Sequence, residues 1–347
     1  GCPMLMSVKI TLPALASLLL VSMAAARDYV FAVGSSTVFP FAATVAEQIS
    51  RRTDLRSPQI EAWGTGGGLK LFCQGIGAEE VDVALASREM TAEELARCAG
   101  NGVTEVLKLR VGSDGISFAT AKGFTLQLTL RDLYLALAKR VPGEGRPDGV
   151  LSENPNRLWS DVDPRLPQRP ILVYGPPLTS GTRDLLAEQG LMTGCRTFPG
   201  LKGLESTAPE AFRQACGPFR EDGVYVTTGE NDNLIVRKVA GSGHAVGVFG
   251  FSYYDQNRDV LQAVAIEGVA PSFESIYDGT YPLARPLYVY VKLAHLHRIP
   301  GLIPFLEELV SARAVGEEGY LIDHGLVPVP EDERAMSARL LEEVVQR

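Results

Sequence analysis

Four short loops rich in Ser, Thr and Gly, each opening a predicted helix, hold most of the chemistry legible in this sequence. They are Gly34-Ser35-Ser36-Thr37, Gly64-Thr65-Gly66-Gly67-Gly68, Thr179-Ser180-Gly181-Thr182 and Gly229-Glu230-Asn231-Asp232-Asn233. The first N–H groups of a helix lack partners within it, the helix dipole adds partial positive charge there, and small residues let an anion come close. One such loop is an ordinary turn or cap. Four in one chain, three with hydroxyls, point to a single oxyanion held from several sides by neutral donors.

Residues for catalysis are harder to find. The four histidines, His244, His295, His297 and His324, form no HExxH pattern and read as exposed or core residues. Ser180 lies in TSGT, not in a GxSxG nucleophile elbow. The residues therefore favour binding over turnover, with a secreted phosphatase or esterase on the same loops as the alternative. A secreted sensor or adhesin using the same architecture is a third class.

The elements that must position these loops alternate between strand and helix. Tyr29–Val33, Ile60–Trp63, Val81–Ala86, Val106–Leu109, Gly115–Ala119, Ile171–Tyr174, Val246–Phe251 and Leu287–Val291 read as strands. Helices are predicted after Pro40, over Leu69–Cys73, over Ala92–Cys98 behind a Thr91-x-x-Glu94 capping box, over Leu130–Lys139, over Thr182–Glu188, and near the end along Leu302, Phe305, Leu306, Leu309 and Val310. Val141–Gly149, rich in Pro and Gly, reads as a surface insertion. This grammar implies an α/β fold with largely parallel sheets.

Composition fits an exported protein. Met6-Ser7-Val8-Lys9, the mostly apolar run Ile10–Val21 and Ala24-Ala25-Ala26 read as a secretory signal cleaved after Ala26, so residues 1–26 are excluded from the fold. The formal charge of -8, with no basic stripe, argues against a nucleic-acid partner. Beyond the signal stand Cys73, Cys98, Cys195 and Cys216, and sequence proximity favours the pairs Cys73–Cys98 and Cys195–Cys216 in an oxidising compartment. No metal-ligand spacing and no cofactor motif is present, so none is expected.

The strings VGSSTVFPF (33–41), GTGGGLKLF (64–72), VDVALASREM (81–90), TSGTRD (179–184), GENDNLIVRKV (229–239), AVGVFGFSYY (245–254) and YPLARPLYVYV (281–291) resemble, in this order, the periplasmic phosphate-binding proteins of high-affinity phosphate ABC transporters. The resemblance covers nearly the whole mature chain. It implies a two-lobed α/β fold of the type II binding-protein class: lobe one is 27–111 plus 272–347, lobe two is 112–271, and the ligand lies in the cleft between them. It further implies a monomer in the periplasm that binds inorganic phosphate, or another oxyanion as the alternative, and delivers it to permease subunits.

By motif, the resemblance places Ser36, Thr37, Val38, Thr65 and Ser87 against the anion from one lobe, and Ser180, Gly181 and Thr182 from the other. Two departures stand out. The family often has Asp after the Ser of the 81–90 string and Arg four residues before the Ser of TSGT, whereas this chain has Arg88 and Pro176. Arg88 and Arg183 are therefore the expected cations, with surface ion pairing as the other reading for Arg183. Asp232 or Glu230 is the expected acceptor for the proton of hydrogen phosphate, with Asn231 as a neutral donor, or else these residues cap their helix. Strand alternation turns Asp82 away from the site.

Overall fold

The computed structural model describes residues 27–143, 145–147, 149–177, 181–229 and 231–347. The predicted signal, Thr179, Ser180 and Glu230 lie outside the described residues.

The principal sheet has nine strands. From one edge its order is Gln59–Ala62, Phe31–Gly34, Val83–Ala86, Ala284–Lys292, Val106–Ala121, Val246–Gly250, Val173–Gly175 and Tyr225–Thr227, and Leu261–Ala263 also pairs with Val106–Ala121. The expectation of largely parallel strands holds only at the two ends. Phe31–Gly34 runs parallel to both its neighbours, and Val173–Gly175 to both of its own. The centre is antiparallel, because the chain leaves the first lobe along Val106–Ala121 and returns along Ala284–Lys292.

Val106–Ala121 is one strand of 16 residues, where two shorter strands were predicted. The prediction left residues 110–114 between them out of any strand. Two glycines on this strand serve close packing: a Cβ on Gly112 would come within 2.4 Å of Leu326 Cδ1, and one on Gly115 within 2.6 Å of Ile276 Cδ1. The glycines leave room for these side chains, and the strand continues through a register shift in which Leu287 pairs with Gly112 and Tyr288 with Arg110. Val141–Gly149, predicted as an irregular insertion, begins within a small hairpin in which Arg140–Pro142 pairs with Leu151–Glu153. The helix predicted over 182–188 is α-helical over Gly181–Leu185 and π-helical over Leu186–Leu191.

Burial divides along the long strand. Ile116 and Phe118 join a core with Tyr134, Trp159, Phe249, Tyr281 and Leu283 in the second lobe, whereas Leu109 and Val111 join Val83, Leu85, Val289 and Phe305 in the first. Alternation assigns the other face of the first-lobe sheet to Val33, Ala84, Ala86, Tyr288 and Tyr290, against Leu69 and Phe72. Both faces are thus covered, as a sheet with near-continuous apolar runs requires. Disulfides join Cys73 to Cys98 and Cys195 to Cys216, as proximity predicted. Each contributes about 3 kcal/mol by restricting the unfolded chain.

Beneath the first lobe lies a buried charge cluster. Arg27 donates to both Asp82 oxygens (2.7 and 2.9 Å) and to the carbonyls of Tyr29 (2.6 Å), Ala78 (3.2 Å) and Glu80 (2.8 Å). Asp82 also accepts the Phe31 N–H at 2.7 Å and lies 2.6 Å from His295 Nδ1. Asp82 therefore serves the frame, as alternation predicted, and His295 is a core histidine. Among the described residues no helix is long and apolar enough to cross a membrane.

Candidate functional site

Close backbone approach requires one glycine in each of the first two loops. Gly34 has φ +142°, and a Cβ there would fall 2.1 Å from the Leu85 carbonyl oxygen; one on Gly68 would fall 2.3 Å from Gly34 Cα. The strand Phe31–Gly34 and the helix Thr65–Phe72 can then meet backbone to backbone. The residues between are held by short-range hydrogen bonds. Ser35 Oγ accepts the N–H groups of Thr37 (3.2 Å) and Val38 (3.4 Å), and the Ser35 carbonyl accepts Phe39 N–H at 2.9 Å. Thr65 Oγ1 accepts Ser87 N–H at 3.1 Å and lies 3.0 Å from Ser87 Oγ. Thr65 and Ser87, 22 positions apart, thus form one hydroxyl pair.

Two cavities meet where the lobes face each other. One, of about 410 Å3, is lined by Ser36, Thr65, Ser87, Arg88, Asp184, Glu188 and Arg285, among others. The other, of about 380 Å3, is lined by Thr37, Phe39, Asp114, Gly181, Thr182, Asp232, Tyr253 and His324, among others, and shares Ser36 with the first. Phe39 therefore walls the cleft.

Arg285 stands at the junction. It is 6% exposed. Its Nη2 donates to Thr37 Oγ1 of the first lobe and to the Gly181 carbonyl of the second at 3.2 Å, and Nη1 lies 3.4 Å from Glu188 Oε2. Its Nε is buried without a hydrogen-bond partner, 3.9 Å from Asp114 Oδ2. Arg285 and Asp114 are opposite each other in the antiparallel register of the two strands that cross between lobes. Burial raises the Asp114 carboxyl above its usual range, against the opposing pull of Arg285. Gly181 approaches closely as well: a Cβ there would lie 2.9 Å from Thr37 Oγ1.

The predicted cations have different surroundings. Arg88 lines the first cavity and makes two 2.9 Å bonds to Glu94, which raise it above its ordinary range and hold Glu94 low. Arg183 is 7% exposed and spreads its guanidinium over the rings of Phe219 (4.5 Å) and Tyr225 (5.1 Å). Tyr225 Oη in turn donates to the Pro176 carbonyl at 3.0 Å. Arg183 is thus buried against these two rings, with its Nε unpartnered among the described residues, and surface ion pairing does not describe it. Asp232 accepts Gly250 N–H at 3.3 Å, and Asn231 caps the helix Asp232–Ala240 by accepting Asn233 N–H at 3.1 Å.

A family model described as a PBP superfamily domain matches residues 22–313. The chain belongs to the PBP superfamily. The protein SphX of Synechococcus elongatus is 32% identical over 273 residues, covering 77% of this chain and 69% of that relative. A phosphate-binding protein PstS of Staphylococcus saprophyticus is 24% identical over 322 residues, covering 90% and 84%. A crystal structure of a possible phosphate binding protein from Planctomyces limnophilus superposes with a TM-score of 0.71 at 28% identity, covering 92% of this chain and 99% of that one. The two-lobed PBP fold of the chain agrees with these likenesses.

On this PBP frame the loops at 34–37 and 64–68, Ser87, Gly181 and Thr182 all reach the cleft. Sequence reasoning missed Arg285, Asp114, Asp184 and Glu188. Arg285 had a usable signal: it is the one charged residue in the apolar string YPLARPLYVYV, and a charge in a buried strand requires a partner or a ligand.

Proposed function

We propose that this protein captures inorganic phosphate in the periplasm and delivers it to the permease subunits of an ABC transporter. One observation carries the reading most directly. Arg285, a buried guanidinium with an unpartnered Nε, faces the cavity that holds the hydroxyls of Ser36, Thr65 and Ser87. A guanidinium matches an oxyanion edge with paired donors, hydroxyls complete the shell, and exclusion of water strengthens each bond. Relatives named phosphate-binding proteins over most of the chain support the same ligand.

In this reading Ser36, Thr37, Val38, Thr65, Ser87, Arg88, Gly181 and Thr182 surround the ligand together with Ser180. Arg183 supports the second-lobe loop, and Asn231 and Asp232 border the far side. Lobe one is 27–111 with the chain's C-terminal part, and lobe two starts at 112; core membership supports this first crossing and favours a second between Leu283 and Leu287, later than the 271/272 boundary expected from sequence. Ligand contacts made from both lobes would favour the closed arrangement, since only better contacts in that state can shift the equilibrium. Removal of the signal after Ala26, a monomeric state and a transport role without catalysis belong to the same reading.

Calorimetric titration of ligand-stripped protein tests it. Tight one-to-one phosphate binding with weak sulfate binding is expected. No binding of phosphate, or release of phosphate from a model ester, would overturn it.

A further inference from the structure

A cavity of about 490 Å3 lies away from the cleft. Its walls are Phe273, Tyr277, Pro328, Val329 and Pro330, two carboxylates, Glu274 and Glu317, complete the lining, and no residue is shared with either cleft cavity. The long crossing strand separates it from the cleft. A Cβ on Gly115 would point at Ile276, next to Tyr277, whereas Asp114 lines the cleft, and successive residues of a strand point to opposite faces. A mostly apolar cavity of this size with a few polar groups has the make-up of a small-molecule site.

The lining residues define what fits. Phe273, 41% exposed, leaves a large ring open to water and meets Phe251 edge-on at a centroid distance of 5.0 Å. Tyr277 has committed its hydroxyl to Glu333, so what it offers a ligand is its ring; that ring already carries one cation, the Arg110 guanidinium, 4.6 Å from its centroid. Glu274 and Glu317 are exposed and make no ion pair among the described residues, and no Lys, Arg or His lines the cavity.

We propose that this cavity binds a small organic cation, an apolar body carrying one ammonium or guanidinium group. The body covers Phe273, Val329 and the prolines, and the cationic head pairs with Glu274 and Glu317. A neutral molecule of the same shape gains the same burial but leaves both carboxylates without a counter-charge, and an anion is opposed by both. The aromatic walls add cation–π attraction. The site is independent of the phosphate reading.

The test is a 1H–15N NMR titration at pH 7.5 with three probes of one shape: 2-phenylethylamine, which is charged at this pH, 2-phenylethanol and 3-phenylpropionate. The amine is expected to shift the amides of Phe273, Tyr277 and Val329 and to bind about 5- to 10-fold more tightly than the alcohol, with the carboxylate weakest. In the double variant Glu274→Gln, Glu317→Gln, the amine should fall to the affinity of the alcohol, whose own binding stays the same. Phe273→Ser should weaken both, and thermal melts verify that the variants are folded. An amine that binds no better than the alcohol, shifts confined to other parts of the molecule, or a preference that survives in the folded double variant overturns the assignment.

Discussion

Two buried arginines, Arg27 and Arg285, occupy opposite ends of the first lobe and show how one residue type serves structure or binding according to its surroundings. Arg27 spends its two terminal nitrogens on three carbonyls and a bidentate carboxylate, at 2.6 to 3.2 Å. Arg285 makes looser contacts, 3.2 Å to the Gly181 carbonyl, 3.4 Å to Glu188 and 3.9 Å to Asp114, besides its bond to Thr37. Arg27 closes on fixed partners within one lobe. Arg285 reaches partners in both lobes and borders a cavity, so an arriving anion can replace its weaker contacts at small cost.

The sharpest way to break this contrast is to remove each member. Arg285→Gln combined with Asp114→Asn, which avoids stranding a buried carboxylate, should weaken phosphate binding by about 100-fold with a modest loss of melting temperature. Retained affinity in the titration would return Arg285 to the structural class. Asp82→Asn should do the reverse, costing about 3 to 5 kcal/mol of stability at pH 7 by leaving Arg27 underpaired, with phosphate affinity of the folded fraction unchanged.

The Asp82 effect has a defined pH sign. Burial pushes its carboxyl up, but hydrogen bonds from Arg27, His295 and the Phe31 N–H outweigh this and hold it below its ordinary range. Its contribution is therefore complete above about pH 4 and is lost as pH falls through the folded value. Denaturant melts of wild type and Asp82→Asn should converge below about pH 4, and a gap constant down to pH 2 would contradict the assignment.

Smaller effects sharpen the boundary between the regions. Thr65→Val deprives the Ser87 N–H of its acceptor and should weaken phosphate binding by about 5- to 10-fold. Lys292, fully buried with Nζ unpartnered 5.0 Å from the Phe72 ring centroid, is pushed down to about 8 by burial. The unfolded chain then binds more protons than the native one just above pH 8, so stability should rise from pH 8 toward 10, and Lys292→Met should flatten that rise.

The sequence was most legible where a feature is local. The glycine loops, the Thr91–Glu94 capping box, the strand cores and the near-neighbour disulfides each depend on residues close in the chain. The site was legible as loops but not as a charge arrangement. Arg285 meets Thr37 across 248 positions and Gly181 across 104, and Asp184 meets Ser36 across 148, separations over which periodicity has no information. Arg183 shows a related limit: its place beside a binding loop is legible in the sequence, whereas the stacking of its guanidinium on Phe219 and Tyr225 is not. Gly112 and Gly115 are required for a similarly non-local reason, the tertiary contacts with Leu326 and Ile276.

The central position of Ala284–Lys292, hydrogen-bonded on one side to Val83–Ala86 and on the other to Val106–Ala121, has a consequence for biosynthesis. The second lobe's strands all precede this segment in the chain, so that lobe can complete its pairing before the segment has emerged. The first-lobe strands, made earliest, must wait for one of the last strands to be synthesised before their sheet is whole. During that interval the open edge of Val83–Ala86 is the part of the nascent chain most in need of protection from premature pairing.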